Sequence, residues 1–281
     1  MNASLSFHMS RRNFLGASAA GVASLSIGIP ELLAADKKIP VGLQLYSVRH
    51  DCEKDLPKVL ETVAKIGYKG VEFAGYYGRK AGELRKLLDD NGLVCCGTHT
   101  PLETIQPQNL AATIEFNKTL GNKYLIVPWM DPKTKQGWLD MAKLFNEQSE
   151  KVKSEKMLVG YHAHSHDFDL IDGDSCWDLF FGNTRDDVVM QLDTSNCMDG
   201  KADPVAVLKK YAKRAVTIHL KEWGGDAQAV IGEGKVDFPA VFDLCEKNGV
   251  TEWYIVEHER EGNALENVRR CYQGLKKMGK V

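Results

Sequence analysis

From Lys38 onward, short apolar runs of strand length alternate with longer segments whose apolar positions recur at helical spacing. The first unit sets the pattern. VGLQLYSV, residues 41–48, reads as a strand. Leu56, Val59, Leu60, Val63 and Ile66 then fall on one helical stripe over 53–66, which Gly67 ends. The same rhythm predicts further strands over 68–74, 93–100, 124–130, 157–164, 187–196, 215–223 and 253–259. Helices are predicted over 81–91, 110–120, 138–153, 176–181, 204–212, 238–248 and 263–278. Gly92 and Gly121 stop two of them, and Pro204 follows Asp203 at a favourable first-turn position.

Eight strand–helix units in one chain predict an α/β fold, a (βα)8 TIM barrel spanning 38–281. The competing open doubly wound sheet would want a glycine-rich nucleotide loop after the first strand, and no such loop and no GxxxxGK[ST] occurs. In a parallel barrel the C-terminal strand ends converge on one face, where active sites sit. Four consecutive runs finish there on chemically competent residues: His162 and His164, Asp193, His219 and Lys221, Glu257 and Glu259. Residues two apart share a strand face. If His162, Asp193, His219 and Glu257 meet, they form an N2O2 set suited to a divalent ion. One such residue is usually a hydrogen-bonded structural group. Four at matching strand ends are harder to dismiss, because an unpaired buried carboxylate is costly.

Composition adds exclusions. With 281 residues, 26% charged and a formal net charge of −2, nothing points to nucleic acid or an anionic membrane surface. The N-terminus stands apart. Arg11-Arg12 precedes a weakly apolar run, 16–29, rich in Ala, Gly and Ser, and Leu33-Ala34-Ala35 offers an imperfect cleavage region. Residues 1–37 are therefore expected to be a twin-arginine signal peptide with a short linker, and the protein periplasmic. The run is too short and small-residued for a membrane span. The 7 cysteines, an odd number without CxxC spacing, read as buried apolar residues, with Cys95 and Cys96 on opposite strand faces.

The segments GLQLYSVR, KIGYKGVEF, GYHAHSHDF, QLDTSN, TIHLKEW, IGEGKVDF and IVEHE together resemble the xylose-isomerase-like barrel superfamily, the sugar phosphate isomerases/epimerases. The resemblance runs from Val41 to the C-terminus and is specific for the superfamily but not for a substrate. It implies one divalent metal ion (Mn, Zn, Co or Fe) held by His162, Asp193, His219 and Glu257. Ketose epimerases of the superfamily usually carry Glu where His162 stands and use two metal-binding glutamates as opposed bases. Here one is missing, so the protein charge at the metal is −2 and the ion a stronger Lewis acid. YHxH at this strand resembles instead the inosose-dehydratase branch and lyases acting on 3-keto-glycosides.

The remaining candidates have softer roles. Glu257, His164 and Lys221 are the candidates for proton transfer; His164 could equally support the metal, and Lys221 could pair with Glu259. Gln44, Tyr46, Glu72 and His99 could contact substrate hydroxyls, and Trp129 could stack on a sugar. Gly232 and Gly234 are expected to let the loop after the seventh strand turn over the site. Such a site predicts a metal-dependent sugar isomerase or epimerase that abstracts a proton next to the carbonyl of a small keto-sugar. The alternatives are a lyase or dehydratase eliminating from a 3-keto-glycoside, and an inactive carbohydrate-binding barrel. The missing glutamate favours elimination over strict epimerisation; the family's name favours isomerisation.

Overall fold

A computed structural model describes residues 38–281. The twin-arginine segment lies outside the described residues. Eight parallel strands follow in order: Val41–Gln44, Gly70–Phe73, Val94–His99, Tyr124–Val127, Leu158–His162, Val189–Gln191, Thr217–Leu220 and Trp253–Val256. Strands six to one pair in succession, strand one pairs with eight, and eight with seven. Between six and seven the ladder shrinks to one parallel bridge, Asp193 to His219, where the His219 N–H donates to the Leu192 carbonyl at 2.8 Å. The fold is thus the (βα)8 TIM barrel that the periodicity predicts, and two expected ligands lie at its closing seam.

Helices Leu110–Leu120, Cys176–Phe181 and Phe238–Asn248 match their predicted bounds. The strands are shorter than the apolar runs at their C-terminal ends, and two of them share a reason. Gln44 ends strand one because its Oε1 accepts the Tyr46 N–H at 3.0 Å and starts a 3-10 turn, Leu45–Val48. Asp193 likewise accepts the Asn196 N–H at 2.8 Å and caps a helix, Thr194–Asp199, that the strand pattern had hidden. A two-stranded ribbon, Leu170–Ile171 with Asp174–Ser175, also went unpredicted; its turn is Asp172-Gly173, both at positive φ, a common hairpin signal.

The main apolar core lies between the strands' outer faces and the helices, with Trp138, Trp177, Phe145 and Phe242 among its buried rings. A separate small cluster, Tyr124, Ile126 and Val189, is formed by alternate residues of strands four and six. Gly42 has no room for a side chain, since a Cβ there would stand 2.5 Å from Cys96 Sγ. All seven cysteines are buried and free, as expected of apolar residues. Among the described residues no helix is long and apolar enough to cross a membrane.

The loop after strand seven departs from expectation. The buried Glu222 carboxylate accepts the N–H of Gly232 at 2.8 Å, of Trp223 at 3.0 Å and of Val236 at 3.2 Å. This draws the loop against the last helix, Ala264–Lys277, and its C-cap: a Cβ on Gly232 would lie 2.5 Å from Met278 Cε. Gly232 and Gly234 therefore serve the Glu222 clamp, and neither lines the cavity at the barrel mouth.

Candidate active site and metal centre

The site rests on a buried polar layer inside the upper barrel. Glu72, on strand two, is fully buried and accepts three side-chain hydrogen bonds, with the His99 ring beside it. Gln191 Nε2 donates to Oε1 at 2.9 Å, and Gln44 Nε2 and His219 Nε2 meet Oε2 at 2.8 and 2.6 Å; His99 Nε2 lies 3.2 Å from Oε2 and 2.9 Å from Gln191 Oε1. Burial disfavours its charge, yet the His99 and His219 rings hold its pKa well below the carboxylate range. Glu72 also sets the orientation of its neighbours. A carboxylate only accepts, so Gln191 must turn its amide N–H2 toward it and toward Thr217 Oγ1, 3.1 Å away. Gln191 Oε1 then faces His162 Nδ1 at 3.0 Å, so that nitrogen carries the proton and Nε2 keeps a free lone pair. His219 is oriented in the same way: Nε2 donates to Glu72 and Nδ1 points to the cluster above.

That cluster is the predicted set. One donor atom from each of His162, Asp193, His219 and Glu257 lies within 4.8 Å of the others, and all four residues are buried. Glu257 Oε2 stands 2.7 Å from His219 Nδ1, and Asp193 Oδ2 stands 3.9 Å from it. Asp193 Oδ2 has no hydrogen-bond partner despite full burial. A buried carboxylate oxygen without a donor is costly, and two carboxylates beside two histidines suit a divalent first-row ion. The residues fit the metal. Burial disfavours charge on His219, but Glu72 and Glu257 outweigh it and raise its pKa to about 10. Burial pushes Asp193 up to about 6. Burial and the neighbouring His219 and His99 rings hold His162 neutral.

Above the cluster opens a cavity of about 660 Å³. Its polar side carries His99, His162, His164, Asn196, Glu257 and Glu259. His164 lies two residues beyond His162, and its buried Nδ1 has no partner. Burial lowers its pKa to about 4, so the ring is neutral near pH 7. Lys221 Nζ is 3.1 Å from Glu257 Oε1 and also donates to Glu259. Burial opposes its charge, but Glu257, Asp193 and Glu259 raise its pKa still further. Lys221 is therefore a fixed ammonium and cannot accept the proton, which corrects one expectation.

The proposed substrate contacts divide. Tyr46 and His99 line the cavity. Gln44 and Glu72 do not: both are fully buried, with their polar atoms committed to the layer beneath. Trp129 is 53% exposed and lines a neighbouring cavity, packing edge-on against His164 and tilted against His166. Residues the sequence pattern did not single out also enter. Asn196 donates to the Ala163 carbonyl at 2.9 Å and so ties strand five to the capped helix; its spacing from Asp193 was the available signal. Tyr76, Pro101 and Pro128 also line the cavity; Tyr76 and Pro101 lie in loops outside the predicted elements, and Pro128 follows a strand that stops short of its predicted end.

A TIM barrel with a compact N2O2 donor set at its strand ends is the class that fold and site define. Residues 60–278 match the family described as Xylose isomerase-like TIM barrel, and the chain belongs to that family. Among curated relatives, an inosose dehydratase of Clostridium tetani is 23% identical over 273 residues, covering 80% of this chain and 91% of the relative. A solved sugar phosphate isomerase/epimerase of Parabacteroides distasonis superposes with TM-score 0.77 at 26% identity, covering 86% of this chain and 99% of the other. The IolI protein, solved with a zinc atom, shares the fold at TM-score 0.65 and 14% identity, covering 85% and 97%.

Proposed function

We propose that the protein is a divalent-metal-dependent enzyme that removes the proton next to the carbonyl of a keto-sugar or keto-cyclitol, and that it eliminates a leaving group β to that carbonyl. The observation that carries the reading is His164: neutral, on the cavity wall and unpartnered at Nδ1, beside the four-donor cluster. His162, Asp193, His219 and Glu257 would hold the ion, which when bound supplies Lewis acidity toward the substrate carbonyl. The inosose dehydratase relative and the zinc atom of the IolI structure support this choice.

The chain's own residues then have distinct tasks. His164 takes the C–H proton, leaving its electron pair on the substrate as an enolate. Lys221, fixed as an ammonium, offsets the carboxylate charge of Glu257 and Glu259 beside the growing negative charge. When a β C–O bond is present, the enolate collapses to restore C=O and form the Cα=Cβ bond, the C–O bond breaks, and the departing oxygen takes the proton held on His164 and leaves as water or alcohol. Isomerase or epimerase activity is the second reading, favoured by the Parabacteroides neighbour. Epimerisation needs proton delivery to the opposite face, where a ketose epimerase would have a second glutamate and this chain has neutral His162.

The test compares deuterium uptake from D2O with product release, on a free ketose and a 3-keto-glycoside. Elimination from the glycoside with slow two-face exchange on the ketose is expected, with His162→Glu shifting the balance toward epimerisation. Rapid two-face exchange without elimination restores the epimerase. The twin arginines favour a periplasmic site of action. Arg11-Arg12→Lys-Lys should retain the precursor in the cytoplasm on fractionation, and unchanged export would end that proposal.

A further inference from the structure

The two sides of the cavity differ in chemistry. Opposite most of the histidines and carboxylates, its wall is Tyr46, Ala74, Tyr76, Pro101, Thr104 and Pro128, mostly apolar and contributed by segments that follow the first four strands. At about 660 Å³ the cavity is of a size that takes drug-sized ligands, so a single sugar ring held against the donor cluster leaves the apolar side to be filled. None of the lining residues is Lys or Arg, and two are glutamates, so a phosphate finds no counter-charge. Lys221 is already spent on Glu257 and Glu259, and the Arg49 guanidinium lies over the Tyr46 ring.

Tyr46 is built as a stacking plate. It is 42% exposed, yet it is not left to swing. The Arg49 guanidinium lies 4.1 Å from its ring centroid while donating to its own turn, Nη1 to the Tyr46 carbonyl at 2.8 Å. Gln44, part of the buried layer, holds the Tyr46 N–H. A ring clamped on one face by a cation and anchored through its backbone is preorganised for a flat apolar partner. Across the wall Tyr76 is fixed by packing on Phe116, with centroids 4.2 Å apart.

From this we propose that the wall is a subsite for a planar, aromatic aglycone, and that the physiological substrate is an aryl glycoside oxidised in its sugar ring. The proposal rests on the keto-sugar reading of the same site. A second sugar ring fits less well, because most of its hydroxyls would face Ala74, Pro101 and Pro128, with only the Thr104 and tyrosine hydroxyls to meet them.

Calorimetry on the purified protein tests the subsite with probes that cannot react: 4-nitrophenyl glucoside, methyl glucoside and a glucosyl disaccharide. The aryl probe should bind about tenfold tighter than the other two. Tyr46→Ser should abolish that preference and Tyr46→Phe retain it, with matching melting temperatures for all three proteins. Equal affinities, absence of aryl binding, a disaccharide preference, or an aryl preference that survives Tyr46→Ser would overturn the subsite. Deuterium exchange on a free ketose is run separately. Exchange without an aryl preference removes the subsite and leaves the reaction; an aryl preference without exchange keeps the subsite and removes the reaction.

Discussion

Strands five to eight carry, at or just past their C-terminal ends, His162, Asp193, His219 and Glu257, whose donor atoms crowd within 4.8 Å, whereas strands one to three carry Gln44, Glu72 and His99, which hold that cluster from beneath and beside it. Both halves are built from the same βα unit and place polar residues toward the C-terminal ends of their strands. They differ in how those residues are satisfied. In the first half the Glu72 carboxylate has three donors, with the His99 ring against it, and is closed to any ligand. In the second half Asp193 Oδ2 and His164 Nδ1 are buried without partners, which leaves capacity for an ion and a proton. Unspent hydrogen-bonding capacity, more than residue type, separates a binding group from a scaffold group here.

The largest expected effect removes a donor from the second half. Asp193→Asn keeps an oxygen for the Asn196 cap and should leave the barrel folded, while metal content and turnover fall to background. Elemental analysis with a thermal melt checks this; full activity after chelation would remove the metal from the account. His164→Ala should slow proton transfer by roughly 10²–10⁴-fold with metal content unchanged. Loss of metal in that variant would instead place His164 in support of the ion.

Glu72→Gln probes the first half. It takes the charge from the layer that orients His219 and, through Gln191, His162, and metal affinity should fall by about 10–100-fold. An unchanged affinity would show that the two halves are not coupled. The smallest step, taken one pH unit at a time, is in pH. His219, with its pKa raised to about 10, is protonated at neutral pH, and a metal must displace that proton. Affinity should therefore rise by about tenfold per pH unit up to that value. Below about 6, where Asp193 also holds a proton, the dependence should steepen. A flat titration between pH 6 and 9 would show that His219 is not a ligand.

Much of this was legible in the chain. The alternating 2.0 and 3.6 periods gave eight strands and their helices, and polar residues ending apolar runs marked the donor set. The shortened strands and the helix after Asp193 were hidden, because a strand-end residue that caps the next turn looks, in sequence, like one more alternating position. The roles given to Gln44 and Glu72 were misassigned, since strand position says which way a side chain faces but not which donors meet it. Gln191 reaches Glu72 across 119 residues of chain, and His219 reaches it across 147.

The sequence by itself therefore determined the barrel, its polar strand ends and the residue types available for a metal, because periodicity and burial are local properties of the chain. Only the tertiary structure decided which polar groups are spent and which are free, that Lys221 is a fixed cation, and that loops from four different units form an apolar wall opposite the donors. Those outcomes depend on distances between residues far apart in sequence, which only barrel closure at the Asp193–His219 seam sets.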